Sequence, residues 1–241
     1  MNYLPLAPPF FLALFLLFAA LLLLVELRIV QYAFETAGVE RRYMFALLLL
    51  SFLGSYVNIP IARLPPEQVV SDQVVHFFGF QYVIPEVIAW PGTVIAVNVG
   101  GAVIPALLSI YLVVKNRLYG RAFLAVGIVG YVVHRLAYPV PGLGIATPTL
   151  LPPLVTAVVA LAISRRHAAP LAYAAGSMGT LIGADLMNLD KVQGLGAPVA
   201  SIGGAGKFDG IFLTGLVAVL LAGLATRRHS PPRPGEGAPS P

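Results

Sequence analysis

The sequence of 241 residues contains no cysteine. Disulfide bonds, a thiol nucleophile and a thiolate metal site are therefore excluded. Charge is also scarce, because 10% of the residues are charged while 58% are hydrophobic. Soluble domains carry roughly 25% charged residues, and the mean hydropathy of this chain is +0.86. These values predict an integral membrane protein.

Sequence motifs of several common enzyme classes are missing as well. The chain has no HExxH zinc-protease motif, no GxxxxGK[ST] nucleotide-binding loop and no GxSG nucleophile. Its four histidines are scattered without metal-ligand spacing. The net charge of +5 comes from small basic groups between apolar runs, which is typical of membrane proteins rather than of nucleic-acid-binding proteins. We therefore expect no metal, no cofactor and no nucleic-acid partner.

Long apolar runs extend along most of the chain. A helix that crosses a membrane needs about 20 such residues. The candidate spans are 7–30, 43–63, 92–114, 119–139, 146–164, 168–189 and 208–226. The expected fold class is an all-α membrane protein with about seven transmembrane helices.

Two segments differ from these runs. Residues 64–90 are rich in β-branched and aromatic types, with Gly79 suited to a turn, which predicts a short β-hairpin on the outer membrane surface. The tail 230–241 is rich in Pro, Gly and Ser, which predicts disorder. The expected organisation is a single polytopic transmembrane domain over 1–229, followed by this tail.

The basic residues predict an orientation. With the N-terminus outside and alternating spans, eleven of the 15 Lys and Arg residues fall inside. The four that remain outside are Arg63, Arg135, Lys191 and Lys207. Since cytoplasmic loops are enriched in Lys and Arg, we expect a multi-pass protein of the cytoplasmic membrane with a cytoplasmic C-terminus.

Two acids stand out because they interrupt apolar sequence. Asp185 lies near the end of the sixth candidate span and Asp209 near the start of the seventh. If these two spans are antiparallel neighbours, both acids lie at the same depth in the membrane. Acids inside an apolar helix are functional candidates, and two close carboxyls can share a proton while one acts as a base. Structural roles stay open, since Asp209 can cap a helix and Asp185 can form a hydrogen bond to a neighbouring helix or to Asn188.

Four further residues are candidate binding residues. Gly204 and Gly206 come shortly before the second acid. Asn98 and Pro105 bound the stretch NVGGAVIP, where glycine near proline can mark a broken helix with exposed backbone polar groups. Helix packing alone also explains such glycines, and Asn98 can instead be a hydrogen-bond donor between helices.

Three stretches resemble a prokaryotic membrane family known mainly as a domain of unknown function. They are Val97–Leu112, Gly183–Asp185 and Ser201–Phe212. The likeness covers roughly Val57–Leu224. It implies a shared helical fold and supplies no activity.

The chain also resembles, more weakly, the intramembrane aspartyl proteases of the presenilin and signal-peptide-peptidase type. That family has one aspartate on each of two successive helices, a GxGD motif and a Pro-Ala-Leu motif. The corresponding residues are Asp185, Asp209, Gly204-Ala-Gly206 and Pro105-Ala-Leu107. The chain departs from the family pattern at Ala184, at Lys207-Phe208 before the second acid, and in the order of the motifs.

Three functions follow as hypotheses. The first is a di-aspartate intramembrane hydrolase in which Asp185 and Asp209 activate water. The second is a transporter or channel in which the same acids form a proton or cation site. The third is a non-catalytic membrane scaffold. The expected partners are the lipid bilayer and a transmembrane peptide, or else a small solute or ion, while the oligomeric state is not predicted.

Overall fold

The structure is a computed structural model that describes residues 28–77, 80–142, 144–204 and 210–227. Its α-helices are α1 (28–37), α2 (Arg41–Gly54), α3 (Ile104–Lys115), α4 (Tyr119–Leu136), α5 (Leu151–Ile163), α6 (Ala168–Thr180) and α7 (Gly210–Arg227). Two π-helices, π1 (Val99–Val103) and π2 (Leu181–Asp185), and two 3-10 helices, Arg165–His167 and Leu186–Lys191, lie between them. Most of the first candidate span and the whole tail 230–241 lie outside the described residues.

The described strands form one three-stranded sheet and two hairpins. They are β1 (Asn58–Arg63), β2 (Glu67–Phe77), β3 (Phe80–Trp90), β4 (Val94–Asn98), β5 (Tyr138–Val140), β6 (Gly144–Ala146) and β7 (Val199–Ile202). In the larger sheet β4 lies between β1 and β7, antiparallel to β1 and parallel to β7. The segment 64–90 does form a hairpin, β2–β3, as its β-branched composition predicts.

Helix α6 is the centre of the helical part of the fold. All of its residues except Met178 are buried, and its alanines and glycines leave room for neighbouring backbones. A Cβ added to Gly176 would lie 3.0 Å from the Cα of Gly215 in α7, and one added to Gly179 would lie 3.2 Å from the N of Gly130 in α4. The missing Cβ atoms therefore set how closely α4 and α7 approach α6.

Three of the connections between the helices gather at one end of the helical bundle. Lys115 Nζ donates a 2.8 Å hydrogen bond to the carbonyl of Gly38, between α1 and α2. Arg121 Nη1, at the start of α4, lies 3.4 Å from Ser164 Oγ, after α5. The α1–α2, α3–α4 and α5–α6 connections thus form what we call the junction end. The sheet β1–β4–β7 and π2 lie at the other end, the sheet end.

The expectation of an all-α fold with seven transmembrane helices is wrong. Within the described ranges, none of the helices is both long enough and apolar enough to cross a membrane. The candidate span 43–63 divides into α2 and β1, and 92–114 divides into β4, π1 and α3. The reason is that an apolar run rich in β-branched residues has the same hydropathy whether it pairs as a buried strand or continues as a helix.

Candidate functional site

The sheet end places several polar side chains of distant sequence position next to one another. The parallel register pairs Val97 of β4 with Ile202 of β7, so the residues that follow, Asn98 and Gly203, leave the sheet side by side. The antiparallel register pairs Asn98 with Asn58 of β1. Because the carboxyl ends of parallel strands meet at one edge, β4 and β7 both deliver their next segments to this place.

Asn98 holds this edge together. Its side chain is fully buried, and its Oδ1 accepts a 2.7 Å hydrogen bond from the backbone N–H of Gly101, which caps π1. Its Nδ2 donates to the carbonyl of Ser55 at 2.7 Å and to Asn58 Oδ1 at 3.1 Å. Ser201 Oγ donates to the same Asn58 oxygen at 2.6 Å. The sequence left two roles open for Asn98, namely lining a site or hydrogen bonding between helices. In the structure its side chain forms hydrogen bonds to the end of α2, to β1 and to π1.

Glycines at the end of α2 and in π1 allow these two segments to pack closely around this network. A Cβ added to Gly54, at the end of α2, would lie 3.0 Å from the N of Gly100. Gly100 in turn lies directly against the backbone of Ser51 and Ser55. Side chains larger than hydrogen would push α2 away from π1, and the hydrogen bond from Asn98 to Ser55 would lengthen.

Pro105 follows π1 in the first turn of α3. The helical turns continue from π1 into α3, because the Ile104 N–H donates to the carbonyl of Val99, and proline at the next position has no N–H to add to this series of hydrogen bonds. Pro105 is buried, and its carbonyl accepts a 2.7 Å hydrogen bond from Ser109 Oγ. The predicted binding residue Pro105 thus starts α3 after the π-helix.

Asp185 ends π2 and is half-buried. Its Oδ2 accepts a 2.7 Å hydrogen bond from the backbone N–H of Gly203, directly after β7. Gly203 and Gly204 have φ angles of +93° and +87°, a region that favours glycine. The turn formed by these two residues is what directs the Gly203 N–H towards the carboxylate.

The end of π2 is fixed by a second residue, Asn188. Its buried Nδ2 donates to the carbonyls of Gly183 at 2.8 Å and Ala184 at 2.9 Å. Its Oδ1 accepts a 2.7 Å hydrogen bond from Lys191 Nζ. Carbonyls released by the wide π-helical turn are thereby satisfied, and the backbone that carries Asp185 is held in one position.

The carboxylate of Asp185 borders an apolar cluster. Leu181 of π2, Ala102 of π1, Ile202 of β7 and Ile211 of α7 pack together there. A methyl group added to Gly203 would lie 2.6 Å from both the N and the Cβ of Ala102. The two π-helices therefore meet at Gly203, and Asp185 lies at this meeting point. π-Helical turns are rare and occur often at functional sites.

The second acid of the predicted pair lies outside the described residues. Asp209 and Gly206 belong to the segment 205–209, between Gly204 and the start of α7. Gly204 is described, and its N–H donates to the carbonyl of Ser201 at 3.1 Å. The pairing of Asp185 with Asp209 therefore stays a prediction.

Sequence reasoning missed Ser201 and Gly203 as parts of this site, whereas it named Asn188 as a possible hydrogen-bond partner of Asp185. The Gly203-Gly204 pair after a β-branched stretch is a turn signal that could have indicated a backbone N–H available at this point. Ser201 carries no comparable local signal. Within the described ranges, no group of three His, Asp or Glu side chains is placed to hold a metal ion.

A separate groove of about 240 Å³ lies between α3, α4 and α6. Its lining residues are Ser109, Ile110, Val113, Val114, Tyr119, Val126, Ala174 and Met178. Asp185 is not among these lining residues, so we do not assign the groove to the site at Asp185.

Comparison with known proteins gives a family without an activity. Residues 52–221 match the family described as protein of unknown function (DUF1614). No curated protein and no solved structure is significantly similar to the chain. These comparisons thus offer no support for a relationship to the presenilin-type proteases. Because the match covers well over half of the sequence, the chain belongs to the DUF1614 family.

Proposed function

We propose that the chain is a hydrolase whose acid–base chemistry depends on Asp185, with Asp209 as its partner. The observation that carries this proposal is the hydrogen bond of 2.7 Å from the Gly203 N–H to Asp185 Oδ2. It orients a half-buried carboxylate at the meeting point of two π-helices, beside an apolar cluster. An oriented carboxylate in partly apolar surroundings is the kind of group that general acid–base catalysis uses.

The chain connectivity is compatible with Asp209 as the partner. Five residues lead from Gly204 to Asp209, and an extended chain covers at most about 3.5 Å per residue, or roughly 18 Å in total. Gly204 directly follows the residue that bonds to Asp185. The length of this segment therefore allows Asp209 to approach Asp185, and Asp209 immediately precedes α7 in the sequence.

The proposed reaction needs two carboxyls and one water molecule. The ionised carboxylate takes a proton from water as the water oxygen attacks the carbonyl carbon of a peptide bond. The protonated carboxyl then gives its proton to the leaving nitrogen as the C–N bond breaks. The products are a carboxylic acid and an amine. Two neighbouring carboxyls hold the required single proton because both cannot ionise cheaply.

A non-catalytic scaffold is the second candidate. The hydrogen bond between Asp185 and Gly203 connects π2 to the end of β7. This structural connection alone can explain why a hydrogen-bond acceptor is present at position 185. Under this alternative Asp185 fixes the sheet end, and no substrate is converted. Transport or channel activity stays a prediction that no described contact supports.

Cleavage of a panel of fluorogenic apolar peptides by the purified chain tests the proposal. Asp185→Asn and Asp209→Asn should each lower the rate by a factor of about 100 or more, the usual contribution of a positioned acid or base. Asp190→Asn is the matched control, because Asp190 is exposed in the neighbouring 3-10 helix. Its rate should remain that of the unchanged chain.

The pH profile and the stability separate the two candidates. A shared proton gives a bell-shaped dependence of kcat/KM on pH with two apparent pKa values. If folded Asp185→Asn and Asp209→Asn variants cleave as fast as the unchanged chain, the hydrolase proposal is wrong. A lowered melting temperature in Asp185→Asn, without any cleavage by the unchanged chain, supports the scaffold.

A further inference from the structure

The junction end carries a concentration of exposed positive charge. The exposed basic residues there are Arg42, Lys115, Arg117, Arg121, Arg165 and Arg166. The described acids near this end are Glu35 and Glu40, and Glu40 is paired with Arg42 at 2.7 Å. The Lys115–Gly38 and Arg121–Ser164 contacts show that these basic residues come from three connections that meet in space. Their fields therefore add at one surface.

Exposed tyrosines accompany these basic residues. Arg42 lies over the ring of Tyr43, 4.7 Å from its centroid, and Lys115 Nζ lies 5.4 Å from the centroid of Tyr111. Tyr119 is 59% exposed at the start of α4. Tyrosine combines an apolar ring with a polar hydroxyl, and it is enriched where lipid headgroups meet the hydrocarbon region.

Beyond the tyrosines, the helices expose large apolar side chains to an extent that is unusual for a surface. Phe123 of α4 is 84% exposed and Phe45 of α2 is 68% exposed. Others on α3, α5 and α7 include Leu107, Leu154 and Leu224. Contiguous exposed apolar surface marks a place where a protein contacts another apolar phase. Phe45 and Phe123 lie in the first two turns of α2 and α4, directly beside the basic junction end, whereas Leu107 and Leu154 lie towards the sheet end.

We propose that the junction end is a docking surface for a bilayer that contains anionic lipids. The basic residues contact the phosphate groups, the tyrosines lie at headgroup level, and the neighbouring apolar side chains contact acyl chains. Charge complementarity favours this partner over a second copy of the chain, because two junction ends would repel each other. The docking does not require any helix to cross the bilayer.

Co-flotation with vesicles tests the proposal on the full-length chain. We expect strong binding to phosphatidylglycerol vesicles and much weaker binding to phosphatidylcholine vesicles. Removal of two charges in the Arg165→Gln/Arg166→Gln variant should weaken partitioning onto the anionic vesicles by about 30-fold, at the usual contribution per basic residue near such a surface. The matched control removes the same charge from the sheet end, in Arg63→Gln/Arg135→Gln, and leaves Lys191 and its hydrogen bond to Asn188 in place. It should bind within about threefold of the unchanged chain.

Salt dependence provides a measurement that needs no variant. Raising NaCl from about 0.05 M to about 0.5 M shortens the Debye length roughly threefold and should release the unchanged chain from anionic vesicles. Equal binding to both lipid compositions would overturn the proposal, and so would equal loss of binding in the two double variants. A stable dimer that binds neither vesicle would show that the apolar surface is instead an interface between copies.

Discussion

Substitution of Gly203 by alanine should destabilise the fold and disturb Asp185 at the same time. Gly203 has a φ angle of +93°, and a non-glycine residue in that region costs about 1–2 kcal/mol. The added Cβ would also lie 2.6 Å from the Ala102 N and 2.8 Å from the Gly101 carbonyl carbon. These are backbone atoms of π1, so no side-chain rotation relieves the overlap, and overpacking of this kind costs about 1–3 kcal/mol.

Gly38 offers a matched control for this substitution. Its φ angle is +94°, and a Cβ added there would meet no atom within 4 Å. Gly38→Ala therefore carries the backbone strain without the steric overlap. We expect it to lower the free energy of unfolding by about 1 kcal/mol, and Gly203→Ala to lower it by about 2–5 kcal/mol. Replacing Ala102 by glycine in addition should rescue little, because the backbone N stays in place.

Urea denaturation followed by circular dichroism measures both free energies. Gly203→Ala should also change the environment of Asp185, because its N–H donor moves away from the carboxylate, and carboxyl resonances in NMR spectra report this. Equal destabilisation by Gly38→Ala and Gly203→Ala would refute the predicted steric overlap, since it would mean that π1 shifts to accommodate the added methyl group without a cost in free energy.

Three other predictions use the same unfolding measurement. Gly183→Ala should lower the free energy of unfolding by about 2 kcal/mol or more, because its Cβ would overlap the Gly130 backbone. Gly127→Ala in α4 adds a Cβ that meets no atom within 4 Å and should raise the free energy of unfolding by about 0.5–1 kcal/mol. Changes of the same sign in both variants would contradict the packing described. Asn98→Ala should lower the free energy of unfolding by about 2–4 kcal/mol, because it leaves the Gly101 N–H and the Ser55 carbonyl without this partner. A decrease below about 0.5 kcal/mol would show that the cap on π1 is dispensable. Burial raises the pKa of Tyr173 above its usual value, so the hydroxyl stays protonated to a higher pH in the folded state than in the unfolded state. The free energy of unfolding should therefore fall as pH rises above about 10. Tyr173→Phe should remove that part of the pH dependence.

The elements that sequence alone could predict are those specified by local pattern. The prediction of 119–139 as helix corresponds to α4, Tyr119–Leu136, and that of 208–226 corresponds to α7, Gly210–Arg227. The hairpin β2–β3 was also predictable, because β-branched residues flank a glycine. In each case the residues that decide the structure are close together in the sequence.

The elements that were missed depend on distant partners. Strand β4 pairs with β1 on one side and with β7, about 100 residues later, on the other. Its residues read as the start of an apolar helix when these partners are unknown. The same applies to the site, where Asp185 was identified as an acid in apolar sequence, whereas its donor Gly203 is supplied by the strand pairing.

The two proposed sites should act independently because they lie at different ends of the fold. Arg121 belongs to the junction end, while Gly130, nine residues further along α4, contacts Gly183 just before Asp185. Nine helical residues correspond to about 14 Å, which exceeds the Debye length of about 10 Å at 0.1 M salt. Charge removal at the junction end should therefore leave peptide cleavage unchanged, and Asp185→Asn should leave vesicle binding unchanged. If the effects in a combined variant depart from additivity, then docking and chemistry are coupled through α4, and the separation argued from its length fails.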